Sequence, residues 1–285
     1  MSKSGNATRT AGELLKEQGF RFSKSMGQNF LVDPNIPEKI VRLSGIDSSS
    51  GVLEVGPGLG ALTSAICRSA GRVTAVELDL RLLPMLRDSI ADIDNVEIVQ
   101  GNILKLDIAE LVKAKMPDMK YHVCSNLPYN ITTPALTAFI STNVFDTITV
   151  MIQREVAGRI CASPGTPDYG AFTVFINYHA EPEILFDVPP ECFMPRPKVY
   201  SSVVTMKMRL ERPLIPEDEA VFFRVVRAAF GQRRKTLVNA LYSAFGNKLQ
   251  KADIEGIVRN CGFDTRIRGE TLGIEEFMRL SGYFK

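Results

Sequence analysis

Histidine is nearly absent from this 285-residue sequence, which contains two, His122 and His179. The five cysteines, Cys67, Cys124, Cys161, Cys192 and Cys261, are odd in number, widely scattered and never in a CxxC pair. That pattern argues against a disulfide framework and against a zinc site, so no metal is expected. No apolar run approaches the roughly 20 residues of a membrane-spanning helix. The opening MSKSGNATRT lacks the apolar stretch of a signal peptide, so a cytoplasmic protein without a membrane partner is expected. Acidic residues are missing from one long stretch: between Ala220 and Ala252 lie seven basic residues, Arg224, Arg227, Arg233, Arg234, Lys235, Lys248 and Lys251, and no Asp or Glu. Such a segment suits an anionic partner, although a solvated helix face would look the same.

Hydrophobic residues make up 45% of the chain and charged residues 23%, which fits one large or two modest domains with a buried core. Residues 1–26 are polar, with a short helical stretch over Ala11 to Gln18, and read as an N-terminal extension. From there to about residue 150 the β-type runs GVLEVG, RVTAVELD, VEIVQGN, YHVCSNLPY and TITVMIQ alternate with helical spacing in ALTSAICRSA and RLLPMLRDSI. Strands alternating with helices predict a doubly wound α/β domain with a parallel sheet, whose ligands sit beyond the carboxyl ends of the strands. Residues 165 to 205 are rich in β-branched and aromatic residues broken by prolines. They read as antiparallel edge strands around a loop stiffened between Pro189 and Pro197. A boundary near residue 210 separates a Rossmann-like domain, 27–210, from a small all-helical domain, 211–285.

Three motifs fall at strand ends. Glu54 to Gly60, EVGPGLG, follows a strand and precedes a helix; Gly56, Gly58 and Gly60 allow a sharp turn and a ligand lying against the backbone. Glu77 ends the next strand, where a carboxylate accepts both hydroxyls of a ribose. An adenosine-bearing cofactor is implied, and S-adenosylmethionine and NAD fit these two motifs equally, since Gly56, Gly58 and Ala61 also match the dinucleotide pattern.

NLPY, at the end of the fourth β run, separates them. An adenine amino group is a poor nucleophile because its lone pair is delocalised into the ring. The Asn126 side-chain oxygen and a neighbouring backbone carbonyl held by Pro128 can accept its two N–H bonds and draw the nitrogen towards tetrahedral geometry. Tyr129 offers a face on which the base stacks, a contact of about 1 to 3 kcal/mol. The bland alternative is a strand-ending turn with a half-buried tyrosine.

With these motifs in view the sequence resembles the ribosomal RNA adenine N6,N6-dimethyltransferases of the small subunit, the KsgA type. The resemblance runs through GQNFL at 27–31, EVGPGLG at 54–60, VELD at 76–79, NLPYNI at 126–131, MIQREVAGR at 151–159, FMPRPKVYSSV at 193–203 and FGQRRKTLVNAL at 230–241. It implies an S-adenosyl-L-methionine-dependent enzyme that dimethylates N6 of two adjacent adenosines in the 3′-terminal hairpin loop of small-subunit rRNA. It also implies a role in small-subunit biogenesis and, as partner, rRNA within a pre-ribosomal small subunit, with the protein a monomer. Gln28 and Asn29 would close over the cofactor; Gly56, Gly58 and Gly60 would line its methionine end. Glu77 would bind the ribose and Leu78 flank the adenine, with Leu31, Glu54 and Ile103 completing the cofactor set. Asn126 and the Leu127 carbonyl would grip the target amino group, and Tyr129 and Phe193 would sandwich a base swung out of its stack. One position departs from the family: Asn102 stands where an Asp usually accepts the cofactor's amino group, and an amide oxygen still accepts that bond without charge assistance.

Phe222, Phe223, Val226 and Phe230 recur at helical spacing, leaving Arg224, Arg227, Arg234 and Lys235 for a face that contacts RNA phosphates, with Arg233 beside them. Arg154 and Arg196 are further RNA contacts implied by the resemblance. Met206, Met208 and His179 read as structural. Two other functions remain: a large-subunit rRNA adenine methyltransferase of the macrolide-resistance type, and an RNA-binding assembly or transcription factor that keeps the fold without the chemistry. FMPRPKVYSSV and FGQRRKTLVNAL favour the small-subunit reading over the first.

Overall fold

The computed structural model describes residues 27–209, 211 and 216–285. The helical stretch expected over Ala11 to Gln18, and the extension to residue 26, lie outside the described residues. In chain order the elements are β1 (Phe30–Leu31), α1 (Asn35–Ser44), β2 (Ser50–Val55), α2 (Ala61–Cys67), β3 (Arg72–Glu77), α3 (Leu83–Ser89), β4 (Val96–Gln100), α4 (Ile108–Lys115) and β5 (Lys120–Asn126). Then come α5 (Thr132–Thr142), β6 (Thr147–Gln153), α6 (Arg154–Ile160), α7 (Ala171–His179), β7 (Ala180–Val188), β8 (Phe193–Met194) and β9 (Ser201–Met208). The chain ends with α8 (Pro216–Gly231), α9 (Leu237–Phe245), α10 (Lys251–Asn260) and α11 (Ile274–Ser281).

Seven strands form one sheet in the order β4-β3-β2-β5-β6-β9-β7, and β1 pairs with β8 in a separate two-stranded sheet. The five expected strands are all present, and β4, β3, β2, β5 and β6 run parallel. β2 shows why: all six of its residues are buried, as a strand covered on both faces requires. β9 adds to β6 antiparallel, from Gln153 opposite Ser201 to Thr147 opposite Lys207.

The chain divides into two compact units, one of residues up to Arg154 with Glu183–Lys207, the other of Glu155–Pro182 with Met208–Lys285. The sequence pattern placed one break near residue 210. The structure instead groups Glu155–Pro182 with the C-terminal helices, and its Ala171–His179 stretch is a helix where an edge strand was expected. Thr173, Val174, Ile176, Tyr178 and His179 are all buried there. A helix apolar around most of its circumference carries no 3.6-residue periodicity, and its Phe, Val, Ile and Tyr residues mimic a strand.

In the first unit the core gathers Ile40, Val41, Val52, Leu62, Ile66, Val73 and Cys124. In the second, Phe222, Val226, Leu237, Leu241, Ile254, Val258, Phe277 and Leu280 form the core. His179 lies buried against Phe175 and Phe223, and Met206 is buried on β9; both are structural. The five cysteines are free, and no helix of the described residues is long and apolar enough to cross a membrane.

Candidate active site

The site begins where the sheet stops being continuous. β2 pairs with β3 as far as Val55 opposite Val76, but with β5 only as far as Leu53 opposite Val123. Beyond that point β2 and β5 diverge, and the Val55 N–H donates to the Ser125 hydroxyl at 2.9 Å instead of to a strand. Strand order reverses here, with β3 on one side and β5 on the other, which opens a crevice at the carboxyl ends. A single cleft there is lined by residues 27–31, the turn after β2, the ends of β3 and β5, and Gly101 to Ile103.

The turn after β2 is held in left-handed backbone by Gly56 (φ 70°), Gly58 (φ 61°) and Gly60 (φ 83°). At Gly58 a Cβ would also lie 2.9 Å from the Phe30 ring, so glycine is required there twice over. The Gly58 N–H donates to Glu77 Oε2 at 3.3 Å and the Asp79 N–H to Glu77 Oε1 at 2.7 Å. The Glu77 carboxylate is thereby fixed at the cleft wall, each oxygen keeping a second lone pair. Burial raises its pKa against those backbone bonds.

Glu54 presents a different state. Its side chain is buried, it lines the cleft, and its Oε2 has no hydrogen-bond partner among the described residues. Burial, opposed by the nearby Thr63 hydroxyl and reinforced by the Glu77 charge, pushes its pKa up to about 8. A buried carboxyl with one orphaned oxygen is what a cationic ligand group would satisfy. Leu78, half-exposed, and buried Ile103 offer apolar surface on the same wall. These features fit a cofactor with a ribose, a flat ring and a positive charge. Asn102 caps the next turn, its Oδ1 accepting the Leu104 N–H at 3.0 Å.

On the opposite wall Asn126 closes β5. Its Nδ2 donates to the Asn29 carbonyl at 3.0 Å, which identifies Oδ1 as the uncommitted, acceptor end of the amide. Leu127 is anchored by its N–H to the Met151 carbonyl, and Pro128 sets φ at −54°. Tyr129 is half-buried in the cleft lining, its hydroxyl 2.7 Å from Ser201 Oγ. Residues 27–31 reach over the cleft: Gln28 Nε2 donates to Asp79 at 2.9 Å, and Phe30 and Leu31 pair with Met194 and Phe193.

Phe193 does not line the cleft. It is 4% exposed and packs in the cluster that holds Leu31, Val188 and Cys192. Phe193 lies opposite Leu31 in the antiparallel pair, and Leu31 both joins this cluster and reaches the cleft wall, whereas the Phe193 ring stays in the cluster. The basic residues divide as well. Arg227, Arg234 and Lys235 are exposed, and Arg224 stacks over the Phe245 ring at 4.4 Å. Arg233 is committed internally, donating to the Pro167 and Tyr169 carbonyls at 2.7 and 3.1 Å and pairing with Glu270. Arg154 lies over Tyr200 and 3.8 Å from Asp187; Arg196 pairs with Glu191. Sequence reasoning missed Ser125, Ser201 and Asp79, whose partners are 70, 72 and 51 residues away. Asp79 and Ser201 lay inside the motifs VELD and FMPRPKVYSSV, and Ser125 directly precedes NLPY, but none of the three had been given a role.

A family model described as ribosomal RNA adenine dimethylase matches residues 19–279. The chain belongs to the ribosomal RNA adenine dimethylase family. Among curated members, Ribosomal RNA small subunit methyltransferase A of Geobacillus kaustophilus is 44% identical over 272 residues, 94% of this chain and 93% of that protein. The protein of the same name from Clostridioides difficile is 44% identical over 279 residues, 98% of this chain and 95% of its own. Among solved structures, a dimethyladenosine transferase from Plasmodium falciparum superposes with TM-score 0.75 at 24% identity, covering 90% of this chain and 97% of that one. The 23S rRNA methyltransferase ErmE superposes with TM-score 0.69 at 25% identity, covering 89% and 98%. The fold of this adenine dimethylase is therefore that of the Rossmann-like methyltransferases.

Proposed function

We propose that the protein is an S-adenosyl-L-methionine-dependent rRNA adenine-N6,N6-dimethyltransferase acting on small-subunit rRNA. The observation that carries this reading is the Asn126 amide, tethered through Nδ2 so that its oxygen is the acceptor, in the same cleft as Glu54, Glu77 and the glycine turn. Family membership and the name of the 44% identical relatives favour the small subunit over the large subunit, which ErmE's name specifies at 25% identity. They equally favour S-adenosylmethionine over NAD.

S-adenosylmethionine supplies a methyl group on a sulfonium, already activated for displacement. Gly56, Gly58 and Gly60 would line its methionine end, and Glu54 would meet its positive charge. Glu77 would accept the ribose hydroxyls, Leu78 and Ile103 would flank the adenine, and Asn102 would contact the amino group of that ring. Gln28, Asn29 and Leu31 close the cleft. The Asn126 oxygen and the Leu127 carbonyl would accept the two N–H bonds of the target amino group and localise its lone pair. Tyr129 stacks on the target base; a second face from Phe193 requires its ring to leave the apolar cluster.

The substrate is the pair of adjacent adenosines in the 3′-terminal hairpin loop, presented within a pre-ribosomal small subunit in the cytoplasm to a monomeric enzyme. Arg224, Arg227, Arg234 and Lys235 contact phosphates on the helical unit, Arg154 and Arg196 on the other. Unmethylated small subunits, incubated with protein and S-adenosylmethionine and mapped by reverse-transcription stops, should show modification at those two adenosines. Modification confined to large-subunit rRNA, or tighter binding of NAD than of S-adenosylmethionine, would refute the proposal.

A further inference from the structure

Two residues beyond Glu77 lies a carboxylate that the chemistry above does not use. Asp79 is 4% exposed and is gripped by Arg81, Nε to Oδ1 at 2.8 Å and Nη2 to Oδ2 at 2.6 Å. Those bonds hold its carboxyl down to about 2 despite burial. It is an ionised anchor, and what it anchors is Gln28, whose Nε2 donates to Oδ2 at 2.9 Å.

The next residue, Asn29, gives its carbonyl to Asn126 Nδ2. A primary amide has two ends of similar size and opposite hydrogen-bonding sense, and the end that meets a ligand is decided by what holds the other. A carbonyl accepts and cannot donate, so the Asn29 oxygen selects the NH2 end of Asn126 and leaves the oxygen as acceptor. That selection works only while the Asn29 carbonyl stays in place. Its position is set on one side by β1, paired to β8, and on the other by Gln28 on Asp79.

We propose that Asp79 is a positioning residue for methyl transfer, latching Gln28 so that the Asn29 carbonyl holds the Asn126 amide with its oxygen towards the target base. The proposal rests on the function above and couples the two walls of the cleft: the acceptor that activates the base is correctly oriented only when residues 27–31 are closed over the cofactor side.

The test uses the full-length protein, unmethylated small subunits and saturating S-adenosylmethionine. Asp79→Ala and Gln28→Ala should each lower kcat about tenfold or more by misplacing rather than removing the catalytic group. The double variant should lose little beyond the worse single one, and in an Asn126→Ala background Asp79→Ala should have almost no further effect on kcat. Thermal unfolding checks that each variant folds; if Asp79→Ala does not, Gln28→Ala with and without Asn126→Ala carries the same comparison. Unchanged kcat in the single variants, or losses that persist in full without Asn126, would overturn the latch. A wild-type protein that leaves the particles unmethylated would instead defeat the functional reading on which the latch rests.

Discussion

The Tyr129 hydroxyl lies 2.7 Å from the Ser201 hydroxyl, across 72 residues of sequence. Tyr129 leaves the end of β5 and Ser201 opens β9, two strands that both flank β6. Burial raises the tyrosine's pKa while the serine bond lowers it, so the ring is held as a neutral phenol.

Removing that bond should loosen the ring without removing its stacking face. Ser201→Ala is expected to raise the KM for the rRNA substrate several-fold with a smaller effect on kcat, while Tyr129→Ala, which in the proposed mechanism loses a stack of about 1 to 3 kcal/mol, should do far more. Steady-state kinetics on small subunits would distinguish the two, and equal losses would show that Ser201 does more than position the ring.

In the proposed mechanism, Asn126→Ala removes an acceptor for the reacting nitrogen. By analogy with other preorganised polar groups, kcat should fall on the order of a hundredfold, with S-adenosylmethionine binding retained. Single-turnover methylation alongside calorimetric titration of the cofactor checks both halves. A near-wild-type rate would remove Asn126 from the mechanism.

Glu54 makes the stability of the ligand-free protein depend on pH. Its pKa stands at about 8 instead of 4.5, chiefly through burial, so between those values the folded protein holds a proton that the unfolded chain has released. The stabilisation is complete below 4.5 and is lost as pH rises through about 8. Urea midpoints should therefore fall across that window, and Glu54→Gln should flatten the slope. An unchanged slope in the variant would mean that Glu54 is ionised in the fold.

The basic residues of the helical unit should separate by role. Arg227→Ala, Arg234→Ala and Lys235→Ala are expected to weaken rRNA binding and each to reduce the salt dependence of log K by about one unit, without lowering the melting temperature. Arg233→Ala should instead destabilise the fold by about 1 kcal/mol, because two carbonyls lose a charged donor. Filter binding across a salt series and thermal melts measure the two effects.

Gly58→Ala tests the turn. The left-handed φ of 61° should cost about 1–2 kcal/mol from backbone strain alone, and a Cβ 2.9 Å from the Phe30 ring should in addition push Phe30 out of contact with Leu82 and Met85. Loss of cofactor affinity larger than loss of stability is expected in a thermal-shift titration.

Much of this site was legible in the residues themselves. β2, β3, β5 and β6 were visible because buried parallel strands read as apolar runs, the edge strand β4 because its Val and Ile residues favour a strand, and the glycine turn, Glu77 and NLPY announced themselves by falling at strand ends. Local rules of this kind depend on neighbours in sequence, which is why they survive without coordinates. The helix Ala171–His179 escaped them, since burial on most sides removes the period that marks a helix. The inward turn of Phe193 escaped them as well, because it depends on its pairing with Leu31, 162 positions earlier. The commitment of Arg233 to carbonyls of a distant loop, and the chain from Asp79 through Gln28 and Asn29 to Asn126, are likewise invisible along the sequence. Sequence determined which groups could do the chemistry; only tertiary structure decided which way the Asn126 amide faces, because hydrogen-bond direction is set by partners that the fold, and not the chain, brings together.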